Sequence, residues 1–218
     1  MFPAISKTHL ITALTLAAAC GVGHAQSTGQ RLWVHLGVAH VDFNSSATVD
    51  VPALGGRVQG QSASASNNTT LAFEVGYELA PGVIASATLG IPPTTTITGQ
   101  GGPFAGAELG KVKYGPSVWT VHYHFDAGVV KPYVGAGLTY VLVFQSRDST
   151  LGGLDSKNAL GSAIQAGMDI PLNNQWFAFV DAKKLFVKAK PTFTNPAPGS
   201  ATLKLDPLIV HAGIGFRF

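Results

Sequence analysis

The chain has 218 residues, of which only 11% are charged, less than half of the roughly 25% usual in soluble domains. The formal net charge of +3 gives no basic patch suited to nucleic acid, and a single cysteine allows no internal disulfide. Past residue 25 there is no run of about 18 apolar residues, so helical membrane spans are excluded.

At the N-terminus, Lys7 and His9 precede the apolar run Leu10 to Ala19, followed by Gly21-Val22-Gly23-His24-Ala25 and the polar Gln26-Ser27-Thr28. A basic start, about ten apolar residues and small residues at −3 and −1 predict a secretory signal cut after Ala25. The expected organisation is a signal peptide over 1–25 and one domain over 26–218. Ala17-Ala18-Ala19-Cys20 loosely resembles a lipoprotein cleavage site but lacks the usual Leu three residues before the cysteine. An exported, charge-poor, Gly-rich chain must hide its apolar surface without membrane helices. A closed barrel in lipid does so, because it satisfies every backbone group internally.

Eight segments then alternate with period two, the mark of a strand with unlike faces. The first, Arg31 to Val41, sets Leu32, Val34, Leu36 and Val38 against His35, Gly37 and Ala39. In the second, Thr69 to Leu79, Leu71, Phe73, Val75 and Tyr77 oppose Ala72, Glu74, Gly76 and Glu78. After the tight turn Ala80-Pro81-Gly82, the third runs from Val83 to Ile91, with Ser86 and Thr88 on the minority face. The fourth, about Val112 to Phe125, sets Trp119, Val121, Tyr123 and Phe125 against Thr120, His122 and His124. The fifth is Pro132 to Phe144, the sixth Asn158 to Ile170, the seventh Trp176 to about Ala189 and the eighth Leu203 to Phe218.

The connections alternate in length. Residues 80–82, 126–131 and 171–175 are short; 42–68, 92–111, 145–157 and 190–202 are long and rich in Gly, Pro, Ser, Thr and Asn. Short periplasmic turns with long extracellular loops, and aromatic residues near strand ends, are the pattern of an all-β, eight-stranded antiparallel transmembrane barrel of the bacterial outer membrane. A soluble sandwich or lipocalin-like barrel is the competing reading, but here the minority face is too small and too glycine-rich to coat a soluble surface.

The last strand ends in alternating hydrophobics through Phe216 to Phe218, which looks like the C-terminal signal read by the outer-membrane assembly machinery. Asn68-Thr69-Thr70-Leu71, Tyr114-Gly115-Pro116-Ser117, Lys131-Pro132-Tyr133-Val134-Gly135-Ala136-Gly137-Leu138, Gln165-Ala166-Gly167-Met168-Asp169 and Leu205-Asp206-Pro207 with Gly213-Ile214-Gly215-Phe216-Arg217-Phe218 occur in order along the mature chain. Together they resemble the outer-membrane protein W (OmpW) family and its alkane-uptake relatives. The resemblance implies an eight-stranded barrel with a narrow, largely apolar lumen that passes small hydrophobic molecules across the outer leaflet. Beside the solutes, the expected partners are outer-membrane lipid, lipopolysaccharide and the assembly machinery. The alternative is a non-transporting barrel whose loops mediate adhesion, stress resistance or phage and colicin reception.

Eight strands leave room for side chains or one small ligand, not a general aqueous pore. Sorted by height, His35, Glu74, Glu78, His122, His124, Asp169, Asp181, His211 and Arg217 form an expected polar floor near the periplasmic end. Ser86, Thr88, Val118, Thr139, Val141 and Leu205 lie nearer the outside. Phe177 and Phe179 share the inward parity of Asp181 and Lys183, giving an expected apolar lining above the floor. Pro92 and Pro93 end the third strand and Pro116 lies early in the fourth. Proline cannot donate to a ladder, and in the OmpW-like pattern such prolines accompany a lateral gap in the wall. His122 and His124 share a face, yet a plug histidine more often hydrogen-bonds than holds metal. Ser117 and His122 stand on opposite faces, so they cannot form a catalytic pair. No cofactor, metal or enzymatic activity is expected.

Overall fold

The computed structural model describes residues 31–218; the expected cleavage after Ala25 lies outside them. In chain order the strands are β1 (Leu32–Asp42), β2 (Ser46–Val51), β3 (Gly56–Arg57), β4 (Ser62–Ala65), β5 (Asn68–Ala80), β6 (Val83–Gly90) and β7 (Thr94–Gln100). They continue as β8 (Glu108–His124), β9 (Lys131–Asp148), β10 (Ala159–Pro171), β11 (Trp176–Ala189), β12 (Thr192–Phe193), β13 (Gly199–Lys204) and β14 (Leu208–Arg217). Strands β1, β5, β6, β8, β9, β10, β11 and β14 pair in that order, each antiparallel to the next. β14 returns to β1 from Trp33↔Arg217 to Asp42↔Leu208, so the sheet has no edge around the barrel. Closure pairs the strands with one another instead of with water, as the hydrocarbon of a bilayer demands, except for a short stretch between β6 and β8 above Leu89.

Alternation decides which face is which. Leu36 and Leu138 are each 58% exposed and Leu160 67%, while their neighbours His35, Thr139 and Ala159 are buried. In water, exposure on that scale would cost about 25 cal/mol per Å²; against lipid tails it costs nothing. Tyr77, Tyr123, Phe125, Trp176 and Phe218 ring the periplasmic rim, and Tyr140, Phe144 and Phe186 stand toward the other, as interfacial girdles do. The periplasmic turns are tight: Gly82 adopts φ +75°, and the Asn173 side-chain oxygen accepts from the backbone N–H of Gln175 and Trp176.

Two expectations need correction. The long connections, expected as extracellular loops, carry strands of their own. β2 pairs with β13, β3 with β2, β12 with β13, and β4 with β7, while β8 starts at Glu108 and β9 runs on to Asp148. Above the lipid a ribbon needs no continuous apolar face, so Ser- and Thr-rich segments extend the wall. The final barrel strand begins at Leu208, not Leu203: Asp206 at φ +33° and Pro207, which lacks an N–H, break the chain, and 203–204 belong to β13.

Candidate functional site

The lower lumen is filled by a polar knot. Lys183, on β11 and fully buried, donates from Nζ to Asp181 Oδ2 at 2.7 Å, Asp181 Oδ1 at 2.8 Å and Glu74 Oε2 at 3.1 Å. Ser86 Oγ donates to Glu74 Oε1 at 2.6 Å, Thr120 Oγ1 to Gln165 Oε1 at 2.7 Å and Tyr133 OH to Asp181 Oδ2 at 3.2 Å. Four histidines surround this centre. His35 lies 3.6 Å from Glu74 and 3.4 Å from Asp169, His122 and His124 bond to each other at 3.0 Å, and His211 donates to the Ala72 carbonyl at 3.3 Å. The opposed charges sit within contact of one another, as burial requires.

Beneath and beside the knot lie aromatic rings, and glycine makes room for them. Trp33 faces Gly76 across β1–β5, Phe177 faces Gly215 across β11–β14, and Tyr133 faces Gly167 across β9–β10. A Cβ on Gly76 would sit 2.2 Å from the Trp33 ring, on Gly215 2.3 Å from Phe177, and on Gly167 2.4 Å from Tyr133. Phe179 stacks on His35 at 3.9 Å. Polar knot and rings together plug the barrel.

Above the plug the lumen opens into a cavity of about 310 Å³ reaching up among the extracellular ribbons. Val141, Leu185, Val187 and Leu205 line it from the barrel, and Phe104, Leu151 and Phe193 from the ribbons; Gln61, Thr95, Ser156 and Lys157 are its polar members. Next to it a smaller cavity of about 30 Å³ lies against the wall between β6 and β8, and the two share Val41, Tyr114, Pro116 and Ile209.

That stretch of wall is incompletely laced. Pairing of β6 with β8 stops at Leu89↔Ser117 and resumes between β7 and β8 at Thr94↔Lys113. Ile91 turns away instead: its N–H donates to Leu71 O at 2.9 Å on β5, and its carbonyl accepts from Thr70 Oγ1 at 2.7 Å. On β8 the N–H of Tyr114 donates to Pro93 O and that of His124 to Gly82 O. Even-numbered positions therefore donate toward β6, and Pro116 stands where a donor to Gly90 O belongs.

Of the nine residues expected as a polar floor, His35, Glu74, His122, His124, Asp169, Asp181 and His211 meet in the knot. Glu78 does not: it accepts from the Gly82 N–H at 3.0 Å on the periplasmic rim. Arg217 lies over the Phe177 ring at 5.6 Å. Phe177 and Phe179 face inward as expected but stand at and below the knot, not in the upper lining, because their partners Gly215 and Gly213 lie toward the periplasmic end of β14. Ser86, expected higher, belongs to the knot. Val141 and Leu205 line the large cavity and Val118 the small one. Sequence reasoning missed Trp33, although parity with His35 pointed it inward, and missed Lys183 as the centre. His35, Glu74 and Asp181 bring ligand atoms within 4.8 Å of one another, but the Lys183 ammonium already stands between the two carboxylates, and a metal ion would have to displace it.

A closed, lipid-faced barrel with an apolar chamber over a plugged floor defines an outer-membrane β-barrel protein of the small, non-porin kind. The chain belongs to the OmpW family, whose model matches residues 28–218. It is 39% identical over 189 residues to the dibenzothiophene metabolism operon protein PahQ of Pseudomonas aeruginosa, covering 85% of this chain and 88% of that protein. It is 29% identical to the outer membrane protein AlkL of Ectopseudomonas oleovorans, over 78% of this chain and 74% of AlkL. The solved structure of OprG from Pseudomonas aeruginosa has the same fold, with a TM-score of 0.80 at 18% identity over 87% of this chain and 96% of OprG.

Proposed function

We propose that this protein is a passive channel that takes up small hydrophobic molecules and releases them sideways into the membrane. The observation that carries the reading is the apolar chamber closed below by the plug but bordered, at Pro116, by a wall that lacks its rung. At about 310 Å³ the chamber is twice the size of an engineered apolar cavity of roughly 150 Å³ that binds benzene, room for a compact solute of two or three rings. The relative connected by name with dibenzothiophene metabolism supports a solute of that kind. A solute resting there meets fixed charges below and lipid beyond Ile91 at the side. Leaving toward lipid desolvates nothing, whereas crossing the plug breaks the knot.

The test restores the rung. Pro116→Ala with Pro92→Ala gives β8 its donor toward Gly90 O, for a gain of about 0.5–1.5 kcal/mol per bond. At matched surface abundance this variant is expected to be at least as stable and to take up a bicyclic aromatic several-fold more slowly into vesicles. A plug variant, Glu74→Gln with Asp181→Asn and Lys183→Met, should leave uptake intact. Uptake that survives the proline changes and collapses with the plug changes would mean the solute travels straight down the barrel.

A further inference from the structure

The outer faces of the strands carry an uneven charge at one height. On β11, Lys184 shares the lipid-facing parity of Phe186; its partners Ile164 and Leu208 are both exposed apolar residues. Lys188 is exposed four residues further up β11, directly opposite the exposed Lys204 of β13. Across the neighbouring strands Lys111 of β8 stands opposite Arg147 of β9, with the exposed Lys113 below. The other half of the perimeter, formed by β14, β1, β5 and β6, has no Lys or Arg on these strands apart from Arg217 at the periplasmic end.

Strand geometry fixes the height. A tilted strand climbs about 2.5 Å along the barrel axis per residue. Lys184 therefore stands about 20 Å and Lys188 about 30 Å above Trp176 of the periplasmic girdle, straddling the top of a hydrophobic band about 25 Å tall. Lys113 and Lys111 stand at a similar height above Tyr123. This is the level at which the outer leaflet changes from acyl chains to headgroups.

Like charges set directly opposite on paired strands oppose the pairing. Of these six cations only Lys111 has a carboxylate partner among the described residues, Glu108 at 3.4 Å; Lys184 donates to the Asp206 carbonyl. Lys188 and Lys204, paired directly across β11 and β13, have no carboxylate partner among the described residues. A multiply charged anion at the surface would reverse the sign of that contact.

We infer that the basic crescent over β8, β9, β11 and β13 is a binding face for the phosphorylated glycolipid of the outer leaflet, its phosphates bridging Lys188–Lys204 on one side and Lys111–Arg147 on the other, with its acyl chains on the apolar face below. Charge complementarity selects phosphate, and the position at the band edge selects a lipid-borne one over a soluble anion. The open stretch of ladder between β6 and β8 borders the crescent on one side, where Lys113 pairs with Thr94 just above it.

The experiment compares glycolipid retained by the full-length protein extracted in mild detergent from outer membranes. Charge reversal by Lys188→Glu with Lys204→Glu is set against His40→Glu with Thr69→Glu, which adds two acids to the bare half of the barrel. The first variant is expected to retain at least fivefold less glycolipid, counted as phosphate per protein, and the second to retain the wild-type amount; heat-modifiable gel mobility establishes that both are folded. Independently of any variant, vesicles containing bisphosphorylated lipid A should raise the thermal unfolding midpoint of the wild-type protein, and dephosphorylated lipid A should not. Equal retention by the two variants, equal stabilisation by both lipids, or equal stabilisation by a soluble polyphosphate would each overturn the assignment. Because uptake is not measured, failure here leaves the channel reading standing, and the reverse holds.

Discussion

Replacing Lys183 with Met is the sharpest test of how the barrel is plugged. The ammonium makes three short bonds to two carboxylates and is fully buried. Without it, Glu74 and Asp181 face each other in a space closed to solvent. Deleting one partner of a buried ion pair costs about 3–5 kcal/mol, because the surviving charge is left uncompensated. Two orphaned acids put this case at the upper end, less whatever is recovered when one takes up a proton. The triple variant Glu74→Gln, Asp181→Asn, Lys183→Met removes the whole charge set, and neutral replacement of a buried cluster is often harmless or stabilising. Urea unfolding in lipid vesicles, followed by tryptophan fluorescence, should show Lys183→Met losing at least about 3 kcal/mol and the triple variant regaining most of it. A loss below about 1 kcal/mol in the single variant would mean that water fills the lower lumen and screens the carboxylates, and the plug would have to be abandoned.

Gly76→Val drives a branched side chain into the Trp33 ring and should cost about 1–3 kcal/mol or more in the same unfolding assay, with partial recovery in combination with Trp33→Leu; no change on its own would mean that the ring moves freely. Deleting Phe218, whose N–H donates to Leu32 O and whose ring packs on Phe216 at 4.9 Å, should leave unfolded chains in the periplasm, whereas normal heat-modifiable mobility would sink the assembly-signal reading. At the extracellular end, backbone N–H groups of Gly153 and Leu154 hold the Asp148 carboxyl below its usual range. A depressed folded pKa means this turn is fully favoured above the ordinary carboxylate value and loosens as pH falls through the lowered one. The amide shifts of Gly153 and Leu154 should titrate there, and Asp148→Asn should abolish the titration.

Much of this was written in the sequence because lipid enforces period two on one face. Parity alone turned His35, Glu74, His122, Asp169, Asp181 and His211 inward. What parity cannot give is register. Glu74 and Lys183 are 109 residues apart, and their contact depends on every pairing from β5 round to β11. Height fails for a different reason: Phe177 and Phe179 follow the periplasmic turn 171–175 within four residues, which alone puts them at the bottom of β11, whereas their expected place in the upper lining rested only on inward parity. The ribbons were hidden by composition. Ser200-Ala201-Thr202 carries no membrane-facing alternation, although it pairs cleanly with β2. Pro92 and Pro116 drew notice for want of an N–H, but only the pairing shows that Pro116 removes a donor on the β6 side.

The three glycine–ring couples constrain how this sequence can drift. Neither Trp33 nor Gly76 can exchange alone without a collision or a hole, so the pair moves through sequence space as a unit, as do Phe177 with Gly215 and Tyr133 with Gly167. A large ring on one strand and glycine on the next is also a pattern that can be mirrored, with the bulk carried by the other strand and the filled volume unchanged. Homologues should therefore show covariation at these three pairs, including members in which ring and glycine have traded strands while the lower lumen stays shut.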